Sequence, residues 1–471
     1  MAEINNEREK PTIRNIGREL IQPFIDLFNT SRALFGLNLS YVLEGLTYFG
    51  IVGLLAIFFN EYIELDDISA GRMVGFLTAG ITLSMLLLGA TVDWIGVRKA
   101  FLISLVFMLV GRILLTLSPE MGVPGLWNSA HWIAMAGLMG IIIGYGIYQP
   151  AAYAGVKKFT SSRTSAMGYA MLYALMNLGG FLPGLISPPV RRAFEITGVF
   201  WVYVGLTVAG ILAVAFIITS RAEKEAAVEA EEDENKISGK VSLKDDQDEM
   251  DSLTFREKVS FYLRNFPLKD RRFLYFIFIL IPVQTLFAHN WLTLPQYTNR
   301  AFEGFVSNNF EFFVNLNPIL IFVLTPIVTA FTAHKNPYKM MIIGTFVMAM
   351  PTFILTLGPS IHTLMAYLLI MTVGEAMWQP RFLQWVAEIA PKNMTGIYMG
   401  IGQFPWFLTK IITALYSGWF LMKYVPEDAP PSAMNTEVMW FIYGLIAVIS
   451  PIGLLLASKW MQKGFKVKHE S

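Results

Sequence analysis

The chain reads as an all-α membrane protein: twelve transmembrane helices in two pseudo-symmetric six-helix bundles. Three observations predict this. Hydrophobic residues make up 54% of the 471 positions and charged residues only 15%, too few to cover a soluble surface. Apolar runs recur at the length a membrane requires, since a hydrocarbon core of ~30 Å takes ~20 helical residues. Lys and Arg also alternate between successive loops, as they do in polytopic membrane proteins.

In order, the predicted spans are 34–60, 70–92, 99–118, 130–156, 165–187, 196–220, 272–297, 310–333, 338–357, 361–390, 394–423 and 434–460. Several hold Gly or Pro, which membrane helices tolerate better than soluble ones. An even count puts both termini on one side. That side collects Arg8, Lys10, Arg14, Arg18, Arg32, Arg98, Lys99, Lys157, Lys158, Arg163, Lys335, Lys339, Lys392, Lys459, Lys463, Lys466 and Lys468. The opposite loops hold the acids Glu61, Glu64, Asp66, Asp67, Glu120, Glu303, Glu427 and Asp428, with Arg191, Arg192, Arg300 and Lys423 as exceptions. The balance predicts a multi-pass protein of the cell (inner) membrane with both termini cytoplasmic.

The expected organisation is a cytoplasmic segment 1–33, a six-helix bundle 34–220, a linker 221–271, a second bundle 272–461 and a tail 462–471. In the linker, Glu223 to Asp251 is acidic and poor in aromatics, which reads as disorder. Residues 254–266 carry Phe255, Val259, Tyr262, Leu263 and Phe266 at helical spacing, which fits either a surface helix on lipid headgroups or a plain tether. Residues 13–29 read similarly, although Pro23 interrupts them. The first thirty residues lack a short apolar core, so we expect the first helix, not a cleaved signal, to direct insertion.

Other classes are excluded by absence of their motifs. There are no cysteines, hence no disulfides, thiol nucleophile or Cys-based metal site. No Walker loop, His cluster with ligand spacing or interleaved basic patch is present, so we expect no enzyme, cofactor, metal or nucleic-acid partner. The expected partners are a small-molecule or peptide substrate, protons and membrane lipids, with the protein a monomer.

The loop after the second helix reads Gly89-Ala-Thr-Val-Asp93-Trp-Ile-Gly96-Val-Arg98-Lys99. It resembles the G-x-x-x-D-x-x-G-x-R-K signature of the major facilitator superfamily. Gly89 permits close packing, Gly96 a tight turn, and Asp93 can pair with a cation or a helix N-terminus as a latch, with Arg98 expected as a further gate residue. Four further segments sharpen the resemblance: Glu44-Gly-Leu-Thr-Tyr48-Phe49-Gly50 in helix one, Asn317-Pro318 to Pro326 in helix eight, Gly374-Glu375 with Pro380, Ala390 and Pro391 in helix ten, and Trp406-Phe-Leu-Thr409 with Gly418 in helix eleven. Helix four adds Gly144 to Pro150 and helix five Tyr173 to Asn177. In order and spacing these resemble the proton-coupled oligopeptide transporters, over nearly the whole chain.

That resemblance implies a secondary transporter working by alternating access, with proton symport of small peptides or peptide-like zwitterions. It places Tyr48, Tyr173, Asn177, Asn317 and Trp406 at pocket positions and Glu375 where a substrate amino group binds. Tyr41 shares the face of Glu44 and Tyr48 by steps of three and four. The departures are specific. The family's first-helix E-x-x-E-R-F-x-Y-Y has Tyr41 at its first Glu, Gly45 at its Arg and Phe49 at its last Tyr. Gln149 replaces the helix-four Lys, and helix seven has His289 as its only titratable side chain within the membrane. A non-peptide organic solute, imported or exported, is the closest rival cargo; a lipid-handling protein or a non-transporting receptor is a further one.

Charge inside a bilayer costs at least ~2.5–3.5 kcal/mol per residue at mid-helix, so such residues face the interior and usually have a task. The intramembrane set is Glu44, Arg112, Glu375, Arg381 and Lys410, plus His289. Burial disfavours a carboxylate's charged form and so suits a proton carrier, which makes Glu44 the expected proton site. Permanent pairing with a buried Arg or Lys is the alternative for both Glu44 and Glu375. Arg381 shares a face with Trp378 and Trp385, and either binds an anion or pairs with Glu388 as a gate. Lys410 is either the partner of Glu375 or a second gate, and Arg112 is read as structural or near a surface.

Overall fold

A computed structural model describes residues 31–89, 91–160, 165–238, 269–332, 335–389, 401–402 and 404–462. Among the described residues twelve spans are found, each matching a predicted one. They are α1 (Arg32–Glu61), α2 (Asp67–Leu88), α3 (Val97–Met121), α4 (Ser129–Phe159) and α5, which runs from Ser165–Phe181 into the start of Pro183–Ile217. That last stretch breaks at Glu195 (φ 59°, ψ −170°), and α6 is the remainder. Then come α7 (Arg271–Ile279, Ile281–Leu292 and Leu294–Arg300), α8 (Phe310–Val314 and Leu316–Thr332) and α9 (Pro337–Ala349, closed by a 3-10 turn Met350–Leu357). The last three are α10 (Ile361–Ile389), α11 (Phe404–Tyr424) and α12 (Thr436–Leu456).

Among the described residues, nine apolar stretches are long enough to cross a membrane unbroken. One of these, Leu175–Ile217, holds two spans divided at Glu195. The other two spans are α8, broken at Asn315, and α11, which carries Thr409, Lys410, Thr413 and Ser417. Proline sets several breaks: Pro282 and Pro295 begin the second and third pieces of α7, where the missing N–H interrupts the helical ladder.

The two six-helix sets repeat one packing plan. α3 packs on α4 as α9 packs on α10; α2 and α4 pair as α8 and α10 do; α1 lies on α5 and α6 as α7 lies on α11 and α12. Glycines at equivalent places allow the tightest of these contacts. A Cβ at Gly137 of α4 would lie 2.6 Å from the Gly111 carbonyl of α3, and one at Gly374 of α10 would lie 2.2 Å from the Met348 nitrogen of α9. Without water to drive association, membrane helices rely on such close backbone approach.

The halves meet along α2–α11, α5–α8 and α1–α7. Their polar ties gather at the end of the bundle opposite the termini, here the far end. Arg300 at the end of α7 holds Asp67 at the start of α2. Arg191 pairs with Glu311, Arg192 donates to Asn309 Oδ1 at 2.9 Å, and Gln296 donates to Asn60 Oδ1. Three of the four cations that break the loop charge pattern, Arg191, Arg192 and Arg300, thus tie the halves together. The fourth, Lys423, lies over the Trp419 and Tyr424 rings.

One expectation is corrected. Of the stretch Glu223 to Asp251, expected to be disordered, the part to Ser238 is helical (Ser220–Ser238) and packs on α1 and α4, and 239–251 lies outside the described residues. Its Ala and Glu content favours helix, Ala222 and Ala226 are buried, and Lys158 of α4 donates to Glu223 at 3.0 Å. The expected surface helices at 254–266 and 13–29 lie outside the described residues.

Candidate functional site

A cavity of about 210 Å³ lies between the halves. The first half supplies Phe49 of α1 and Met176 and Asn177 of α5; the second supplies Phe287, Asn290 and Trp291 of α7, Val314, Asn315, Asn317 and Pro318 of α8, Glu375 and Gln379 of α10, and Trp406 of α11. The local sequence explains the wall from α8. Asn315 breaks the helix, and its side-chain amide donates to the Glu311 carbonyl at 2.8 Å. Asn317 follows on the next piece, aimed at α10.

Glu375 is the one carboxylate among the lining residues. Asn317 Nδ2 donates to its Oε2 at 2.8 Å and to Thr372 Oγ1 at 3.0 Å, which orients the carboxylate. Among the described residues no Lys, Arg or His nitrogen lies within 4.0 Å of it, so permanent ion pairing does not apply there. A buried carboxylate without a counter-ion favours either a proton or a ligand cation. Beside it, Asn290 Oδ1 accepts no hydrogen bond from the described residues, and Phe287 packs on Trp406 with ring centroids 5.0 Å apart. Carboxylate, amide and aromatic faces together suit an ammonium group with an apolar body.

Of the expected site residues, Asn177, Asn317, Glu375 and Trp406 are brought together here. The others lie elsewhere. Glu44 is held by Arg112 of α3: Nη1 donates to Oε2 at 2.9 Å, Nη2 donates to Oε1, and Nη1 also reaches Thr207 of α6. Both residues are buried within the first half, so in this arrangement the Glu44 carboxylate is paired with Arg112. Tyr41 donates to Gln149 Oε1 at 2.8 Å and lies parallel to Tyr148, while Tyr48 packs on Tyr145. None of Tyr41, Tyr48 and Gln149 lines this cavity.

His289 turns away from the cavity, because one residue along a helix is about 100° around it. Its ring nitrogens bond Thr293 at 2.7 Å and Tyr416 at 3.0 Å, and its ring stacks on Tyr443 of α12. Its neighbour Asn290 takes the cavity position; a second polar residue in an apolar helix was the available signal. Gln379, four residues after Glu375, was legible in the same way.

The expected gates separate as well. Arg98 donates to the Ile218 carbonyl at 2.7 Å and so caps the end of α6 inside its own half rather than bridging halves. Arg381 lies beyond the cavity toward the termini end and donates to Thr332 of α8 at 3.3 Å. Lys410 is not the partner of Glu375: it crosses to α2, donating to the Thr78 carbonyl at 3.4 Å and to Thr82 Oγ1 at 3.2 Å. The side chains of Asp93, Tyr173 and Glu388 lie outside the described set.

Residues 37–414 match the profile of the Major Facilitator Superfamily. The chain belongs to the major facilitator superfamily. It is therefore a multi-pass membrane protein of a transporter family and not an enzyme. A stretch of 161 residues is 29% identical to the dipeptide and tripeptide permease A of Proteus mirabilis (strain HI4320), covering 31% of this chain and 32% of that protein. The match thus spans about a third of the length of that curated relative. Solved peptide transporters share the fold. A structure described as giving insights into substrate recognition in proton-dependent oligopeptide transporters superposes with a TM-score of 0.69 at 17% identity, over 92% of this chain and 99% of that one. A POT family transporter in complex with 5-aminolevulinic acid gives 0.66 at 16%, over 92% and 97%. The POT peptide transporter in complex with sulfate gives 0.67 at 16%, over 92% and 95%. The superfamily's two-bundle architecture, expected from the sequence, is the observed one.

Proposed function

We propose that the protein is a secondary active transporter that moves small peptides or peptide-like zwitterions by alternating access, coupled to protons. The observation that carries this reading is Glu375, held by Asn317 and free of a described counter-ion, in a cavity formed by both halves. A site at the seam of two rocking bundles is exposed to one side at a time. Glu375 would hold the cargo's amino group, with Trp406, Phe287 and Phe49 around its apolar part. The names of its relatives, a dipeptide and tripeptide permease and peptide transporters, are consistent with this cargo.

For coupling we assign the proton to Glu44. Protonation would remove the charge that holds Arg112 and loosen α1 from α3 and α6, a change in packing that rocking can use. The surplus of Lys and Arg at the termini end favours an inner-membrane protein with both termini in the cytoplasm.

Proteoliposome uptake of labelled dipeptides, with and without an inward proton gradient, tests the whole reading. Gradient-stimulated, saturable uptake is expected. Flat uptake under both conditions would sink it. The second reading, a non-peptide amine, is favoured by one observation: among the described residues, no cationic side chain lines the cavity. A thermal-shift screen across peptides, amino acids and amine drugs separates the two.

A further inference from the structure

We infer that Lys410 is the carboxylate-binding residue of the cargo site, so that Glu375 and Lys410, both in the second half, form the two poles of a zwitterion site. This rests on the reading above that the cargo is zwitterionic.

The placement argues for it. Trp406, which lines the cavity, and Lys410 are four residues apart on α11, so they share a face one turn apart. Helical side chains lean toward their own N-terminus, which on α11 is the Trp406 side. Lys410 and Glu375 are each fourteen residues from the far end of their helices, hence at similar depth, with Lys410 one turn beyond the lining residue Trp406 and reaching across the seam to α2. Neither neutralises the other, since no salt bridge joins them.

The chemistry agrees. Among the described residues, the Lys410 ammonium has no carboxylate within 4.0 Å and bonds only neutral oxygens of α2, at 3.2 and 3.4 Å. An ammonium carries three donors, so one remains beyond those two bonds. A charge kept at this depth without an anion is costly unless an anion arrives. Arg112 cannot play this part because Glu44 occupies its fork. A zwitterion satisfies both poles at once, whereas a plain amine leaves Lys410 unpaired and a plain acid leaves Glu375 unpaired.

The test compares Ala-Ala with Ala-Ala amide, which lacks only the carboxylate charge, by binding to the purified full-length protein. The readout is the ratio of the two affinities within one sample, so a partly misfolded variant still reports. Wild type should prefer Ala-Ala by about tenfold or more, the range of a charge-assisted hydrogen bond. Lys410→Met should bring the ratio to within about twofold while the amide still binds, and Lys410→Arg should keep the preference. Glu375→Gln should weaken both ligands alike. A preference that survives Lys410→Met overturns the assignment of Lys410 and leaves the zwitterion reading standing. A wild type that binds neither peptide overturns the zwitterion reading and this inference with it.

Discussion

Arg300 at the end of α7 grips Asp67 at the start of α2 through two parallel hydrogen bonds of 2.8 and 2.9 Å, with both side chains nearly buried. Arg300 also reaches Glu427 at 3.2 Å and the Val425 carbonyl at 3.2 Å. One guanidinium thus fastens the start of α2 in the first half to the end of α7 and the segment after α11 in the second. A bidentate pair adds direction to charge, so it holds a particular closed arrangement rather than a loose attraction.

Asp67→Asn should therefore release the far end. Losing one partner of a buried pair costs about 3–5 kcal/mol, and each ~1.4 kcal/mol is a tenfold change in a two-state population. We expect the balance to move toward a far-end-open state by at least about tenfold. The chain has no native cysteines, so spin labels on cysteines placed at Glu120 and Asp428 report the opening directly. An unchanged distance distribution between them would remove the latch role.

Glu44→Gln leaves the Arg112 charge buried without its anion. The single variant should melt well below wild type, consistent with a loss of about 3–5 kcal/mol. Glu44→Met combined with Arg112→Met should melt closer to wild type, because it removes both charges. In liposomes, Glu44→Gln should lose gradient-driven uptake and keep counterflow. Driven uptake at the wild-type rate would take Glu44 out of the coupling role.

Glu375→Gln keeps the shape of the side chain and its bond to Asn317 while deleting the charge. Uptake of labelled dipeptide should fall by about tenfold or more, the loss expected for one charge-assisted hydrogen bond. Melting should change little, since no described cation depends on Glu375. A large drop in melting with uptake intact would instead make it a structural residue.

Gly418→Ala tests the α2–α11 crossing. The added Cβ would come within 2.3 Å of the Asp67 carbonyl and 2.5 Å of the Ile68 Cα, backbone atoms that cannot rotate away. The far end should fail to close fully, lengthening the distance between the Glu120 and Asp428 labels and slowing transport. Wild-type transport by this variant would show that the crossing adjusts at no cost.

Much of the fold was legible because the bilayer imposes a length and a polarity on every span. The twelve helices and the glycines and prolines within them follow from local runs, while the pocket placement of Asn317, Glu375 and Trp406 was implied by the resemblance to the oligopeptide transporters. Asn290 and Gln379 were harder. Nothing local says which of two adjacent polar residues on α7 faces the cavity, and His289 carried the stronger chemical signal. The helix at Ser220–Ser238 was obscured because acidic composition argued for disorder, while its buried Ala222 and Ala226 contacts depend on where α1 and α4 end.

By itself, the sequence determined that the chain spans a membrane twelve times and which few charged groups enter it, because hydropathy and charge act residue by residue along the helix. Only the tertiary structure decided how those charges are partnered: Glu44 with Arg112, Lys410 across to α2, Glu375 left to the cavity, and the out-of-place Arg191, Arg192 and Arg300 turned into ties at the far end. Pairing depends on which helix faces meet, and residues such as Glu44 and Arg112 are joined by packing over 68 positions of chain that no local pattern records.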